Sequence, residues 1–453
     1  MKQLDLGKTK VNKIFWIYVV PSIFSIIFST TAQFVDSAFI GRYVGENGLA
    51  AITMLFPFIM LLNGISIMIA IGGVTYAGIN RGRNNYKRSN NFFNLTLFMI
   101  VVAAVISTGL FLVINNFFEY LFNVDEVTLG YIQTYGFWIG LFFIFFMFNM
   151  TFTLFLNLDK KPVLVVIVSS LSTLINVGLN YLFIVTMGMG MMGAALASGI
   201  SQFIPSCIFL YIIFKKSTWK FKFPRIKFDD MWRIIINGSS ELVNISSVAV
   251  AGFILNKVIL YSVGITGVAG FAIAMQLGNL VISFAFGVSD AIQSPLSYNY
   301  GAGLFDRVKK ILFKAIKLNI IFGFIMMILS TQFGDVFAKL LVTDSETITY
   351  AKEILEYYGF AFILMGVNVV LSTYYTSVDS PLISGIISIF KSLIYLVVWL
   401  LILPPLLGNT GIWIALVAAE VSTSITALLI FLRYPYGNKI IQSSSNKPLL
   451  KVQ

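Results

Sequence analysis

The stretch PSIFSIIFSTTAQFVDSAFIGR, Pro21 to Arg42, decides the reading of the fold. Ser22, Ser25, Ser29, Gln33 and Asp36 recur at intervals of three or four, so on an α-helix they share one face while Ile23, Phe24, Ile26 and Phe28 cover the rest. One face suits water or protein and the other suits lipid. A carboxylate within such an apolar run costs about 2.5 kcal/mol or more in the membrane and is read by default as facing a cavity. Asp36 is therefore expected to carry function.

The remainder of the chain has the same character. Its 453 residues are 58% hydrophobic and only 11% charged, with a mean hydropathy of +0.89, against roughly 25% charged in a soluble domain. The composition predicts an all-α, polytopic membrane protein. Without histidine, imidazole proton relays and His-ligated metals are excluded. The single cysteine, Cys207, allows no intrachain disulfide. The opening MKQLDLGKTKVNKIF is basic and then apolar like a signal sequence, but the apolar run is too long and no small-residue cleavage site follows. An uncleaved first helix is expected.

At about 20 apolar residues per span, helices fall near 14–40, 48–79, 91–116, 130–157, 162–186, 191–214, 233–262, 267–298, 311–333, 347–377, 382–405 and 411–432. Most of the 31 Lys and Arg lie in the N-terminus, in alternate loops and in the tail, with Arg81, Arg83, Lys87 and Arg88 in one such loop and the longest run between Lys215 and Arg233. By the positive-inside rule both termini are expected in the cytoplasm. The net charge of +12 is then a consequence of topology, and nucleic acid is not an expected partner.

The two halves repeat. Val44, Gly45 and Gly48 match Val263, Gly264 and Gly267, while Asn80, Gly82 and Arg88 match Asn299, Gly301 and Arg307, all at a spacing of 219. Tyr135-Gly136-Phe137 matches Tyr358-Gly359-Phe360. Each unit holds six spans, an even number, so the units are related by an axis along the membrane normal, a transporter architecture. The expected organisation is a six-helix lobe over 1–214, a linker over 215–232, a second pseudo-symmetric six-helix lobe over 233–433 and a cytoplasmic tail over 434–453.

PSIFSIIFSTTAQFVDSAFIGRYVGENGLAA, SDAIQSPLSYNYGAGLFDRVKK and MMGAALASGIS resemble the first-span, eighth-span and sixth-span patterns of the multidrug and toxic compound extrusion (MATE) transporters. The resemblance runs from about residue 10 to 435 and leans toward bacterial multidrug exporters. It implies twelve helices in two lobes about a central cavity, in a bacterial inner membrane, with rocking exchange of hydrophobic, mainly cationic compounds against H+ or Na+. A monomer is expected, with no cofactor beyond the coupling ion. A lipid-linked saccharide flippase of the same superfamily is the alternative. No nucleotide loop, metal motif or paired nucleophile and base supports an enzyme.

Helix depth places Asp36, Asn176, Asn180 and Ser198 at one level in the half of the first lobe away from the basic loops, with Gln33 one turn before Asp36. Such oxygen-rich neighbours suit a held proton or a hard cation, so Na+ at Asp36 is the one metal ion considered. The resemblance assigns Asp36, Asn176, Asn180 and Ser198 to the cation-coupling site. Asn180 stands where many members carry a second carboxylate, which favours protonation. The plainer reading of the asparagines is interhelical hydrogen bonding. In the second lobe the repeat maps Asp36 to Leu255, while Glu241, in line with Asn244, and Asp290 lie toward the basic loops as candidate gate or cavity residues. Lys391 and Glu420 are candidates for a buried ion pair. Met54, Met275 and Phe152 are picked from the abundant Met and Phe as soft, adaptable cavity lining.

Overall fold

Among the described residues of this computed structural model, twelve helices are long and apolar enough to cross a bilayer. It describes residues 5–121, 125–342 and 344–437, with the side chains of 31–34, 46, 111, 112 and 114–121 outside that description. The helices are α1 (Val11–Tyr43), α2 (Glu46–Gly82), α3 (Tyr86–Leu121), α4 (Glu126–Leu158), α5 (Pro162–Thr186) and α6 (Gly190–Lys216). The second set is α7 (Phe228–Ser262), α8 (Ile265–Gly301), α9 (Phe305–Leu341), α10 (Ser345–Ser377), α11 (Pro381–Leu407) and α12 (Asn409–Arg433). Among the described residues there is no strand.

Several helices begin earlier than hydropathy predicts: α7 at Phe228 and α9 at Phe305 instead of near 233 and 311. Hydropathy marks the part buried in hydrocarbon, whereas helical hydrogen bonding continues into the polar boundary. Helices of 33 to 37 residues span about 50 Å at ~1.5 Å per residue, well beyond a hydrocarbon core of ~30 Å.

Packing repeats with the sequence. α1 packs on α5 as α7 packs on α11, and α4 on α6 as α10 packs on α12. Between the lobes, α1 meets α8 as α2 meets α7, and α2 crosses α8. The loops repeat in backbone conformation as well: φ is positive at Asn84 and Gly303, and at Lys160 and Asp379. These pairs hold the same 219 offset, so the turns were copied along with the helices.

The lobes are joined at the end carrying the basic loops. A Cβ on Gly82 would lie 2.0 Å from the Tyr298 carbonyl oxygen, and one on Gly301 would lie 2.1 Å from that of Ile79. Those two contacts are images of each other, which puts the α2–α8 crossing on the pseudo-twofold axis. Small residues let the backbones approach this closely. Gly72 against Ile234 and Gly238 against Met68 do the same for α2 and α7. Polar ties reinforce the junction: Tyr76 donates to Asp379 at 2.6 Å, Arg88 pairs with Asp230 at 3.3 Å, and Arg307 donates to the carbonyls of Leu6 and Thr9. Asp379 lies in the α10–α11 turn, where burial pushes its carboxyl above the ordinary value despite the bond from Tyr76 and the charges of Arg233 and Arg83. In the opposite half, the atoms nearest a Cβ added at Gly270 or Gly278 of α8 belong to their own lobe, and Gly252 of α7 faces open space.

A buried ionic cluster anchors the base of the first lobe. Arg81 and Asp159, with side chains 7% and 2% exposed, pair at 3.4 Å, and Lys161 reaches Asp159 at 2.6 Å. Thr218 and Ser217 also donate to Asp159, and the Arg81 guanidinium sits 3.8 Å above the Trp219 ring. Burial alone pushes the Asp159 carboxyl up, but hydrogen bonds from Lys161, Thr218 and Ser217 outweigh it and hold the group below the usual carboxylate range. A depressed folded value means stabilisation that is complete above the unfolded value of 3.8 and lost as pH falls through the folded one. Arg81→Ala leaves a buried acid short of one partner and is expected to cost about 3 kcal/mol, read as a lower thermal midpoint in detergent. Asp159→Asn should also flatten the acid limb of stability against pH below about 4.

Candidate functional site

Asp36 sits in the last third of α1, where the helix passes α5 and α6. Asn180 closes the regular part of α5, donating its amide to Asp36 Oδ1 and, at 3.4 Å, to Asn176 Oδ1. Asn176 also hydrogen-bonds Asp36. Ser198, on the third turn of α6, donates to Asp36 Oδ2 at 3.5 Å. The structure thus brings together all four of the residues expected to converge. Gln33 lies in α1, but its side chain is outside the described residues.

Two features around Asp36 were not read from the sequence. After Asn180 the helix widens into a π turn over Tyr181–Thr186, a local irregularity that accompanies functional sites in many helices. Tyr135 of α4 is buried, hydrogen-bonded with Ser198 and close enough to Asp36 to feel its charge. Its signal was present in the repeated Tyr-Gly-Phe motif: the counterpart Tyr358 is buried in the second lobe and donates to the Met275 sulfur at 3.8 Å.

The cluster contains one carboxylate among neutral oxygens. Asn180 Oδ1 is buried and has no hydrogen-bond partner, which leaves an unused acceptor beside the acid. A buried polar atom without a partner is costly, about 1–3 kcal/mol, and here it can be met by a proton or a small cation. Among the described residues no group of three or more His, Cys, Asp or Glu is placed to hold a metal ion.

The second lobe carries a separate polar interior. Glu241 of α7 is buried, hydrogen-bonded by Asn244, and shares a small cavity with Asn368, Ser372, Ser388 and Lys391. Lys391 stands on its own π turn in α11, over Phe390–Ile394. Asp290 of α8 lies in the neighbourhood of Glu241. The expected pairing of Lys391 with Glu420 is corrected: it is absent from the ion pairs of the described residues, and Glu420 instead accepts from Asn368 at 2.6 Å. The Asn368 amide sits nearer the Glu420 carboxylate on α12 than the lysine does, because α10 and α12 pack directly.

The apolar candidates lie in three different places. Phe152 is buried on α4, stacks on Phe148 at 5.4 Å, and borders a groove between α3, α4 and α6, not the space between the lobes. Met275 packs against Tyr358 inside the second lobe, and Met54 packs on the hydrophobic core of the first. A large apolar residue in a bundle satisfies lipid, neighbour or cavity equally well, so its type alone does not orient it.

With this geometry in hand, comparisons with known proteins are specific. A family model described as MatE matches residues 21–182 and 242–401. The probable multidrug resistance protein YoeA of Bacillus subtilis (strain 168) is 26% identical over 404 residues, covering 85% of each chain. The multidrug export protein MepA of Staphylococcus saprophyticus is 21% identical over 429 residues, covering 93% of this chain and 94% of that one. Among solved structures, an outward-facing multidrug resistance MATE family transporter of the MOP superfamily superposes with a TM-score of 0.89 at 20% identity, over 95% of this chain and 97% of that one. That likeness establishes a shared fold.

Proposed function

The chain belongs to the MatE family, the multidrug and toxic compound extrusion transporters, and from that premise we propose that it is a secondary antiporter. It exports hydrophobic, mainly cationic compounds in exchange for a cation bound at Asp36. The observation that carries this reading is the solitary carboxylate of Asp36, enclosed by Asn176, Asn180 and Ser198 with the acceptor Asn180 Oδ1 left unfilled. Relatives named as multidrug resistance and multidrug export proteins support the substrate class.

The coupling ion in this reading is H+. One negative charge among amide and hydroxyl oxygens holds a proton with little penalty. A Na+ ion would have to give up its water for a single negative charge, since the other oxygens of the cluster are neutral. When Asp36 is ionised, the Asn180 amide donates to it; when Asp36 is protonated, a half-turn of the same amide presents Oδ1 as acceptor.

The moving bodies are residues 1–214 and 233–433, connected by 215–232. They are held together at the basic end through the Gly82–Gly301 crossing and the Tyr76–Asp379 bond, so alternation in this reading requires that junction to separate. In this reading that clamp and both termini lie on the cytoplasmic side of a bacterial inner membrane, as the positive-inside rule suggests for the basic loops. Each ligand drives alternation only by preferring one orientation. Glu241, Asn244 and Asp290 form a second acidic site nearer the clamp, suited to receive a cationic substrate from the cytoplasm. The protein works as a monomer. The flippase reading calls for a cationic cavity between the lobes, whereas the buried basic side chain among the described residues, Arg81, is bound to Asp159 at the base of one lobe.

The test is transport of ethidium in proteoliposomes under a pH gradient and a Na+ gradient imposed separately. Movement driven by the pH gradient alone is expected. Movement driven by Na+ alone would reassign the ion at Asp36, and none under either gradient would remove the antiport reading.

A further inference from the structure

The segment between α6 and α7 is bonded to the first lobe through its backbone. Asn90, Asn91 and Asn94, on the first turns of α3, grip it as a strand would. Asn90 accepts from the Lys220 N–H at 2.8 Å and donates to the Lys220 carbonyl at 2.7 Å. Asn94 accepts from the Lys222 N–H at 3.0 Å, and Asn91 from the Arg225 N–H at 2.8 Å. Because main-chain atoms make these bonds, the charged ends of Lys220, Lys222 and Arg225 are left to solvent.

Those three cations, with Lys87, Lys227 and Arg233, border a cavity of about 890 Å3. Arg88 also lines it but is paired to Asp230; Asp229 is the other acid present, so positive charge dominates. A second cavity of about 630 Å3 adjoins it and shares Asn94, Lys222 and Phe223 with it. The second is apolar, bounded by Phe98 and Val101 of α3, Phe148 and Phe152 of α4, and Leu210 of α6. From Asn94 to Val101 it runs roughly 10 Å along α3 at ~1.5 Å per residue, from the polar boundary into the hydrocarbon. At the junction Phe223 is 85% exposed, and Phe221 stacks on exposed Phe214 with ring centres 4.3 Å apart. Aromatic rings at that level are typical of the headgroup region.

A basic basin opening into an apolar groove has the chemistry of one amphiphile: a phosphate with an acyl chain attached. A soluble phosphate has no use for the groove, and a neutral lipid has none for the basin. We propose that this junction is a binding site for a single anionic phospholipid, its phosphate against Lys220, Lys222 and Arg225 and one chain along Phe98, Val101 and Phe148. Clusters of Lys and Arg beside membrane helices attract anionic headgroups in this way. The site is separate from the Asp36 cluster and does not depend on the coupling ion.

Native mass spectrometry of the full chain, titrated with phosphatidylglycerol, phosphatidylcholine or glycerol phosphate, tests the assignment. One phosphatidylglycerol should be retained at least about tenfold more tightly than phosphatidylcholine, and the triple variant Lys220→Gln, Lys222→Gln, Arg225→Gln should lose that preference. Val101→Trp, which fills the groove, should weaken phosphatidylglycerol binding independently. Cys207 is exposed and borders the groove, so bound lipid should also slow its reaction with maleimide. Equal retention of both lipids, or unchanged phosphatidylglycerol retention in the triple variant and in Val101→Trp, would overturn the proposal. Glycerol phosphate competing as well as the intact lipid would also overturn it, in favour of a soluble-phosphate site.

Discussion

Asp36→Asn is expected to reduce gradient-driven efflux to the level of empty liposomes while leaving the protein folded and in the membrane. The amide has the shape of the carboxyl and can still meet Asn180 and Ser198, so the lobe loses no packing. What it loses is a change of charge. Coupling between two ligands rests on a differential free energy, typically about 1–3 kcal/mol or 5–150-fold in affinity. With a permanently neutral group that difference vanishes, because the neighbours Asn176, Asn180, Ser198 and Tyr135 bring no second acid to take over. Efflux assays with purified protein, alongside a thermal midpoint to verify folding, measure the effect. Asp36→Glu, which keeps the charge but lengthens the side chain by one methylene, should retain part of the activity.

Gly301→Val is expected to be nearly as damaging, by a different route. A Cβ at 301 would lie 2.1 Å from the Ile79 carbonyl oxygen, and the carbonyl and α-carbon of Ile79 are both 2.6 Å away. Backbone cannot swing aside as a side chain can, so α2 and α8 must separate. Overpacking of this kind costs about 1–3 kcal/mol, and it acts only when the lobes meet at the basic end. The conformation clamped there should lose population by about five- to a hundredfold, since 1.4 kcal/mol is a factor of ten. Transport should fall accordingly, and reagents applied from the side of the basic loops should gain access to Ser297 replaced by cysteine, which is fully buried beneath Gly78. Gly252→Val, with nothing within 4 Å of its added carbon, is the control and should transport normally.

The sequence carried the architecture because lipid imposes strong rules. Twelve apolar runs broken by charge or turn residues can hardly be anything else, and the paired glycines at 82 and 301 announced both the repeat and, unrecognised, the contact on its axis. The Asp36 cluster was legible for a similar reason: in a helix crossing hydrocarbon, Asn176, Asn180 and Ser198 need partners, and counting 1.5 Å per residue puts them at one depth. Tyr135 escaped notice because tyrosine is content at a membrane boundary and its motif read as a repeat marker. Which cavity Phe152 borders could not be read, because phenylalanine has no polar end to orient it. Lys391 was assigned to Glu420 by charge alone, although Asn368 on the intervening α10 is the nearer donor. The path of 217–227 across α3 was invisible, since it depends on side-chain amides of Asn90, Asn91 and Asn94 recognising main chain. Periodicity contains no record of such bonds.

The central claim is that the charge on Asp36 sets which side the lobes open, and interlobe distance reports it directly. Spin labels on cysteines replacing the exposed Asn47 and Ile265, at the starts of α2 and α8, with Cys207 replaced by serine, give that distance by double electron–electron resonance in lipid nanodiscs. The distance distribution should move between two populations as pH is varied in the wild-type background, and should stay in one of them at every pH in Asp36→Asn. An identical pH response in the two backgrounds would contradict the account.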